Sequence, residues 1–315
     1  MDGCFNPGYF APEKWMPQAE KTADGSYTFF SEEFGETFHS RQGAKTEAFE
    51  KFVWTTDLLD RVQKSQILIL DICYGLGYNT AAALEAIWQV NPRCPVKIVA
   101  LEQDLTVPLA ALAPVMLAEW SSAVGSVLKG LAQDHQYDRS EDLFPCQAIL
   151  YPGDARNTIQ PLAQRSLQAD AIFLDPFSPR RCPQLWTVDF LGRVAQCLSP
   201  EGKLATYCRA AAVRSALQNA GLSLGTLPVE TPRRSHEWAN GTIAALTGSA
   251  AAKTLQPLSL SEQEHLQTRA GIPYRDPTLQ DPAPVILARR SAEQERSSLE
   301  STTQWRKRWG IDARE

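Results

Sequence analysis

One stretch limits the folds open to this chain more than any other: Ile67-Leu-Ile-Leu-Asp-Ile-Cys-Tyr-Gly-Leu-Gly-Tyr-Asn79. Its apolar run reads as a strand buried in a parallel sheet. Gly75 and Gly77 read as a turn whose backbone approaches a ligand closely or takes positive φ. Thr80-Ala-Ala-Ala-Leu-Glu-Ala-Ile-Trp88 has the composition of a helix whose N-terminus faces that turn. Strand, turn and helix together make a nucleotide-type site at the carboxyl edge of a sheet.

The turn is not a dinucleotide fingerprint, because Thr80 stands where Gly-x-Gly-x-x-Gly requires its last glycine. Asp71, at the strand end, would repel a pyrophosphate. A carboxylate there suits a ligand carrying a cation or an amine, and S-adenosylmethionine has both. Asp71, Gly75, Gly77 and Asn79 are therefore the first candidate cofactor residues, against the alternative of an ordinary tight turn.

Three further strands end the same way. Val96-Lys-Ile-Val-Ala-Leu-Glu102 places an acid where nucleoside-binding sheets hold the ribose hydroxyls. Cys146-Gln-Ala-Ile-Leu-Tyr151 leads into Gly153-Asp154-Ala155, where an acid can accept from an adenine amine, although Gly-Asp is also a common turn. Ala169-Asp-Ala-Ile-Phe-Leu-Asp175 is followed by Pro176-Phe-Ser-Pro179. Parallel strands bring their carboxyl ends to one edge, and that edge is the expected active site.

These elements predict an α/β fold: a doubly wound, mostly parallel, seven-stranded sheet of class I methyltransferase type. Residues 1–62 are expected to form an N-terminal extension packed on it. This extension holds a hairpin turning at Asp24-Gly25 and a helix from about Lys45 to Val62. Residues 63–248 are the expected catalytic domain, with closing strands near Ser223–Leu227 and Gly241–Leu246. Residues 249–315 form a Pro- and Arg-rich extension with a helix around Glu293–Arg308, lacking the apolar content for a core of its own. No apolar run reaches membrane-spanning length and the start shows no signal-peptide pattern, so no membrane partner and a cytoplasmic location are expected. Seven cysteines without Cys-x-x-Cys spacing and four scattered histidines predict reduced thiols and no metal site. No interface stripe is evident, so a monomer is expected.

The net charge of −5 does not suggest a nucleic-acid protein, but its distribution does. From Pro176 to Ser235 eight basic residues stand against three acidic ones. Of these, Arg180, Arg181, Arg233 and Arg234 lie in loops at the expected edge, where they can meet phosphates. A solvated helical face is the competing explanation.

Several blocks resemble the MnmC-type tRNA wobble-uridine methyltransferases: Asp24-Gly-Ser, Ser31-Glu-Glu-Phe-Gly-Glu36, His39-Ser40 and Gly43-Ala44, then Leu174-Asp-Pro-Phe-Ser-Pro-Arg-Arg-Cys-Pro-Gln-Leu-Trp186, and Gly202-Lys-Leu-Ala-Thr-Tyr with Val213-Arg-x-Ala-Leu-x-x-Ala-Gly221. The resemblance spans roughly residues 22–248. It departs at Cys73-Tyr74, where Gly-Phe is usual, and the second, FAD-dependent domain of the two-part family members, which removes a carboxymethyl group, is not expected within these 315 residues. What it implies is S-adenosylmethionine-dependent methylation of the primary amine of 5-aminomethyl(-2-thio)uridine at the tRNA wobble position, giving the 5-methylaminomethyl product. Asp175 would orient the amine and accept its proton, with Phe177 packing on the uracil face. Pro176, Ser178 and the four loop arginines would contact the RNA, the anticodon stem-loop being the partner. Trp186 is expected to be a core aromatic. Two other classes fit the residues: a polyamine-type aminopropyltransferase, and a non-catalytic RNA-binding protein on this fold.

Overall fold

The computed structural model describes residues 19–64, 66–227 and 240–311. Strand β1 (Ile67–Ile72) passes through the glycine turn into α1 (Tyr78–Val90). There follow β2 (Val96–Glu102), α2 (Ser122–Asp134), β3 (Gln136–Arg139), β4 (Cys146–Pro152), α3 (Ala155–Gln164) and β5 (Ala169–Leu174). The sheet is completed by β6 (Leu198–Thr206), β7 (Leu222–Thr226) and β8 (Thr242–Leu246), with α4 (Val188–Gln196) and α5 (Ala211–Asn219) between them.

The spatial order is β7-β8-β6-β5-β1-β2-β4-β3. Neighbours from β6 to β4 run parallel, while β8 and β3 are antiparallel to the strands beside them. The sheet thus has eight strands where seven were expected. The extra one, β3, is a polar edge strand (Gln-Tyr-Asp-Arg) without apolar alternation, so its pairing with β4 leaves no trace in the sequence pattern. The chain runs outward from β1 through β2 and β4, then returns to lay β5 on the other side of β1. A crevice opens where the winding reverses, above the ends of β1 and β5. Strand β5 is buried at all six positions, as a central parallel strand requires.

One face is covered by α1 and α2 and by the N-terminal segment, where Phe52 meets Phe173 edge-on at 5.6 Å. The hairpin is present, Glu20–Lys21 pairing with Tyr27–Thr28 around Gly25. The helix expected from Lys45 to Val62 is instead four pieces: an α-turn at Ala44–Ala48, a π-turn at Phe49–Val53 and 3-10 turns at Trp54–Thr56 and Leu58–Arg61. Thr55 and Thr56 hydroxyls donate back to the carbonyls of Lys51 and Phe52, and Asp57 takes a left-handed conformation that ends the run.

The opposite face is covered by α3, α4, α5 and the C-terminal segment, which contributes Tyr274, Leu279 and Ile286 to the core. The tail helix expected near 293–308 is two helices, α7 (Ala283–Arg296) and α8 (Thr302–Arg308), preceded by α6 (Leu260–Leu266). Ser301 and Gln304 form a reciprocal capping box that starts α8 anew. No helix among the described residues is long and apolar enough to cross a membrane.

Candidate active site

A cavity of about 640 Å3 opens at the carboxyl ends of β1, β2 and β5, a size suited to a cofactor with a small acceptor. Its floor is the turn after β1. Gly75 and Gly77 have φ of 53° and 77°, and a Cβ on Gly77 would lie 2.5 Å from the Tyr74 hydroxyl. Cys73 lines the cavity and also has positive φ, at 66°, the strained conformation a glycine would relieve. Asp71 is wholly buried below this turn and does not line the cavity. One carboxylate oxygen accepts from the Thr80 hydroxyl at 2.6 Å, and the other has no hydrogen-bond partner among the described residues. Burial pushes its pKa to about 7. The sequence expectation of direct contact with a cationic ligand is therefore corrected: Asp71 is tied to the start of α1 through Thr80 and does not face the cavity.

Glu102 does line the cavity. Its carboxylate accepts backbone N–H bonds from Gly75 at 2.8 Å and from Gln103 and Asp104 at 2.7 and 2.9 Å, so it ties the ends of β1 and β2 together. Burial raises its pKa against those bonds. Gly153 and Ala155 line the cavity while Asp154, between them, turns away. Its carboxylate caps α3 through Arg156 N–H and meets the Arg156 guanidinium at 2.7 Å. Arg156 takes the acceptors that the adenine expectation had assigned to a ligand.

Asp175 lines the cavity just beyond β5. Asn79, at the start of α1, donates to it at 2.9 Å, so the structure pairs Asn79 with the carboxylate. Burial and the neighbouring Glu47 charge lift Asp175 to about 7. No helix begins at Asp175; the next turn, Pro183–Trp186, is preceded by Cys182. Beyond it the Pro176-Phe-Ser178 backbone is held at each residue. Tyr207 hydroxyl donates to the Pro176 carbonyl at 2.8 Å and Trp186 indole to the Phe177 carbonyl at 2.9 Å. Glu36 accepts from Ser178 N–H and hydroxyl at 3.0 and 2.5 Å. Trp186 is fully buried, as expected, and also fixes this loop. Phe177 is stacked on Phe34 at 4.3 Å and touched edge-on by Phe38 at 5.0 Å.

The far wall comes from the N-terminal segment: Phe34, Glu36, Phe38, His39, Glu47 and Lys51. Sequence reasoning gave none of these a role, although Phe34, Glu36 and His39 lay inside the blocks that carried the resemblance. Lys51 is paired with Glu47 at 2.5 Å, and Glu47 also accepts from Ser40 N–H at 3.0 Å. Burial pushes Glu47 up, but Lys51 and these hydrogen bonds together hold it below the usual carboxylate range. Burial lowers His39 to about 4, so its ring is neutral at pH 7; its Nδ1 has no hydrogen-bond partner among the described residues.

Of the expected phosphate contacts, Arg180 and Arg181 are exposed beside the loop, and neither lines the cavity. Arg233 and Arg234 lie outside the described residues. The local basic excess is smaller than the sequence count: Lys203 is buried against Asp57, and Arg214 is buried in an ion pair with Glu262 at 2.9 Å. Among the described residues no group of three or more His, Cys, Asp or Glu side chains is placed to hold a metal.

Residues 117–240 match a family described as S-adenosyl-L-methionine-dependent methyltransferase. An uncharacterized protein of Methanocaldococcus jannaschii is 30% identical over 207 residues, 64% of this chain and 53% of that one. The tRNA 5-methylaminomethyl-2-thiouridine biosynthesis bifunctional protein MnmC of Acidovorax is 27% identical over 218 residues, 66% of this chain and 33% of that protein. The chain thus spans about half and about a third of these two relatives. The crystal structure of MNMC2 from Aquifex aeolicus superposes with a TM-score of 0.72 at 28% identity, covering 91% of this chain and 87% of that one. The site fits the cofactor on its own chemistry: a strand-end carboxylate for a ribose, glycines at positive φ, and a wall rich in carboxylates for a sulfonium and an amine. The chain carries an S-adenosylmethionine-dependent methyltransferase domain of the MnmC type, on a class I methyltransferase fold.

Proposed function

We propose that this chain methylates the primary amine of a 5-aminomethyl(-2-thio)uridine at the wobble position of tRNA. The observation that carries the proposal is Asp175, a carboxylate with its pKa raised to about 7, on the wall of a cofactor-sized cavity. S-adenosylmethionine, when bound, supplies an electrophilic methyl group. The residues of the chain supply the rest. Glu102 would hold the ribose and the turn at Gly75 would lie under the ligand. An alkyl amine attacks only when neutral, and Asp175 accepts a hydrogen bond from it and takes its proton. Asn79 fixes the carboxylate, and the three anchors on residues 176–178 fix the loop, so that nitrogen is held in line for transfer. Phe177, backed by Phe34, offers an aromatic edge to the base. Arg180 and Arg181 at the rim are suited to RNA phosphates.

The acidic wall alone would also suit a polyamine receiving an aminopropyl group. The exposed arginines and the likeness to MnmC proteins favour RNA. Incubation with S-adenosylmethionine labelled in its methyl group and tRNA carrying unmethylated 5-aminomethyluridine decides the matter. Label is expected in the wobble nucleoside after digestion. Label absent from that tRNA, with polyamine consumed in a parallel reaction supplied with decarboxylated S-adenosylmethionine as aminopropyl donor, would overturn the proposal.

A further inference from the structure

Among the described residues the cavity wall carries six carboxylates, on Glu33, Glu36, Glu47, Glu102, Asp104 and Asp175, against one ammonium, Lys51. A lone cation is out of place in a pocket for a cationic cofactor and an amine, since like charges repel. It is tolerated because Glu47 holds it: the pair spans one turn of the segment following the N-terminal hairpin, at 2.5 Å, with both side chains largely buried. Ser40 N–H takes the other Glu47 oxygen, which fixes the carboxylate so that it cannot swing off Lys51. His39, the other basic side chain among the described lining residues, is neutral at pH 7 and offers no second cation.

We propose that Glu47 is a specificity-determining residue: by occupying Lys51 it leaves the cavity, among the described residues, without a free cation, so that the site accepts a primary amine and rejects an amine bearing a carboxylate. This rests on the proposed amine methylation. A carboxylated amine would bring its anion against a wall of carboxylates, and its one complementary group, Lys51, is already paired. Leaving a buried anion unpaired is heavily disfavoured, and sites built this way discriminate strongly. Removing the Glu47 charge frees Lys51 to receive that anion.

The test uses two anticodon stem-loop RNAs that differ only in the wobble substituent, 5-aminomethyl or 5-(N-carboxymethyl)aminomethyl. Their Kd values are compared on the full chain loaded with S-adenosylhomocysteine. Wild type should prefer the primary amine by about 100-fold or more. Glu47→Gln, which keeps an acceptor for Ser40, should narrow that ratio about tenfold by gaining affinity for the carboxylated RNA. The double variant with Lys51→Met should restore the wide ratio, which a merely loosened pocket would not do. A thermal melt checks that each variant is folded. Equal ratios in wild type and Glu47→Gln would overturn the role of Glu47 while leaving amine binding intact. A wild type that binds neither RNA would overturn the amine site itself.

Discussion

At the scale of single residues the chemistry turns on Asp175. A base must be ionised to accept a proton, and burial beside Glu47 keeps this carboxyl half-protonated near pH 7. Turnover should therefore rise with pH through about 7 in wild type. Asp175→Asn keeps the shape and can still accept one hydrogen bond, but carries no charge. Single-turnover methyl transfer should fall on the order of 10²-fold, and the inflection near 7 should vanish, leaving only the rise due to the amine. Stability should move the other way. Because the folded pKa lies above the ordinary value of 3.8, this group favours the fold fully below that pH and loses its contribution as pH rises through about 7. The asparagine variant should thus melt no earlier than wild type at pH 8. A variant that melts early but retains the wild-type rate and pH profile would make Asp175 structural.

At the scale of elements the loop after β5 is the part that must not move. Its three consecutive residues are each tied to a different element: Tyr207 beyond β6, Trp186 before α4, and Glu36 in the N-terminal segment. The Glu36–Ser178 contact joins the two walls of the cavity. Glu36→Gln and Ser178→Ala should each lower kcat about tenfold through misplacement of the amine. The cost in stability should stay near 1 kcal/mol, the scale of a partly exposed hydrogen bond. Unchanged kcat in both variants, measured beside urea unfolding, would show the contact to be incidental. Much of this edge was legible in the sequence, because parallel strands must end together and Glu102 and Asp175 close two of them. The facing wall was not. Phe34, Glu36, His39, Glu47 and Lys51 reach the site only through packing across more than a hundred positions, which no local period reports. The same limit hid β3, whose polar residues pair only because β4 offers an edge, and the break at Asp57, where threonine hydroxyls compete with the helix.

At the scale of the whole molecule the C-terminal segment is the question, since its composition supports no core of its own. It is stable here because the sheet domain lends it one: Tyr274, Leu279 and Ile286 join the buried cluster that α3, α4 and α5 form on the sheet. Its polar anchor is Asp276, fully buried. That carboxylate meets Arg156 at 2.9 Å and accepts from the N–H groups of Gln280 and Asp281, while its own N–H donates to Asp189. Arg156 divides its guanidinium between Asp276 and Asp154, so the tail is tied to the residue that caps α3 at the cavity edge. Asp276→Ala should remove the buried pair and the turn acceptors together, costing about 3–5 kcal/mol in urea unfolding. Asp276→Asn keeps the turn acceptor and should cost less. If the tail steadies the cofactor edge through Arg156, S-adenosylmethionine affinity should also fall in the alanine variant and recover partly in the asparagine one. The two readouts separate the possibilities. Lost stability with unchanged affinity would make the tail a brace for α3 and α4 alone, whereas a loss below about 1 kcal/mol, the size of a surface pair, would show that the segment adds little to the fold.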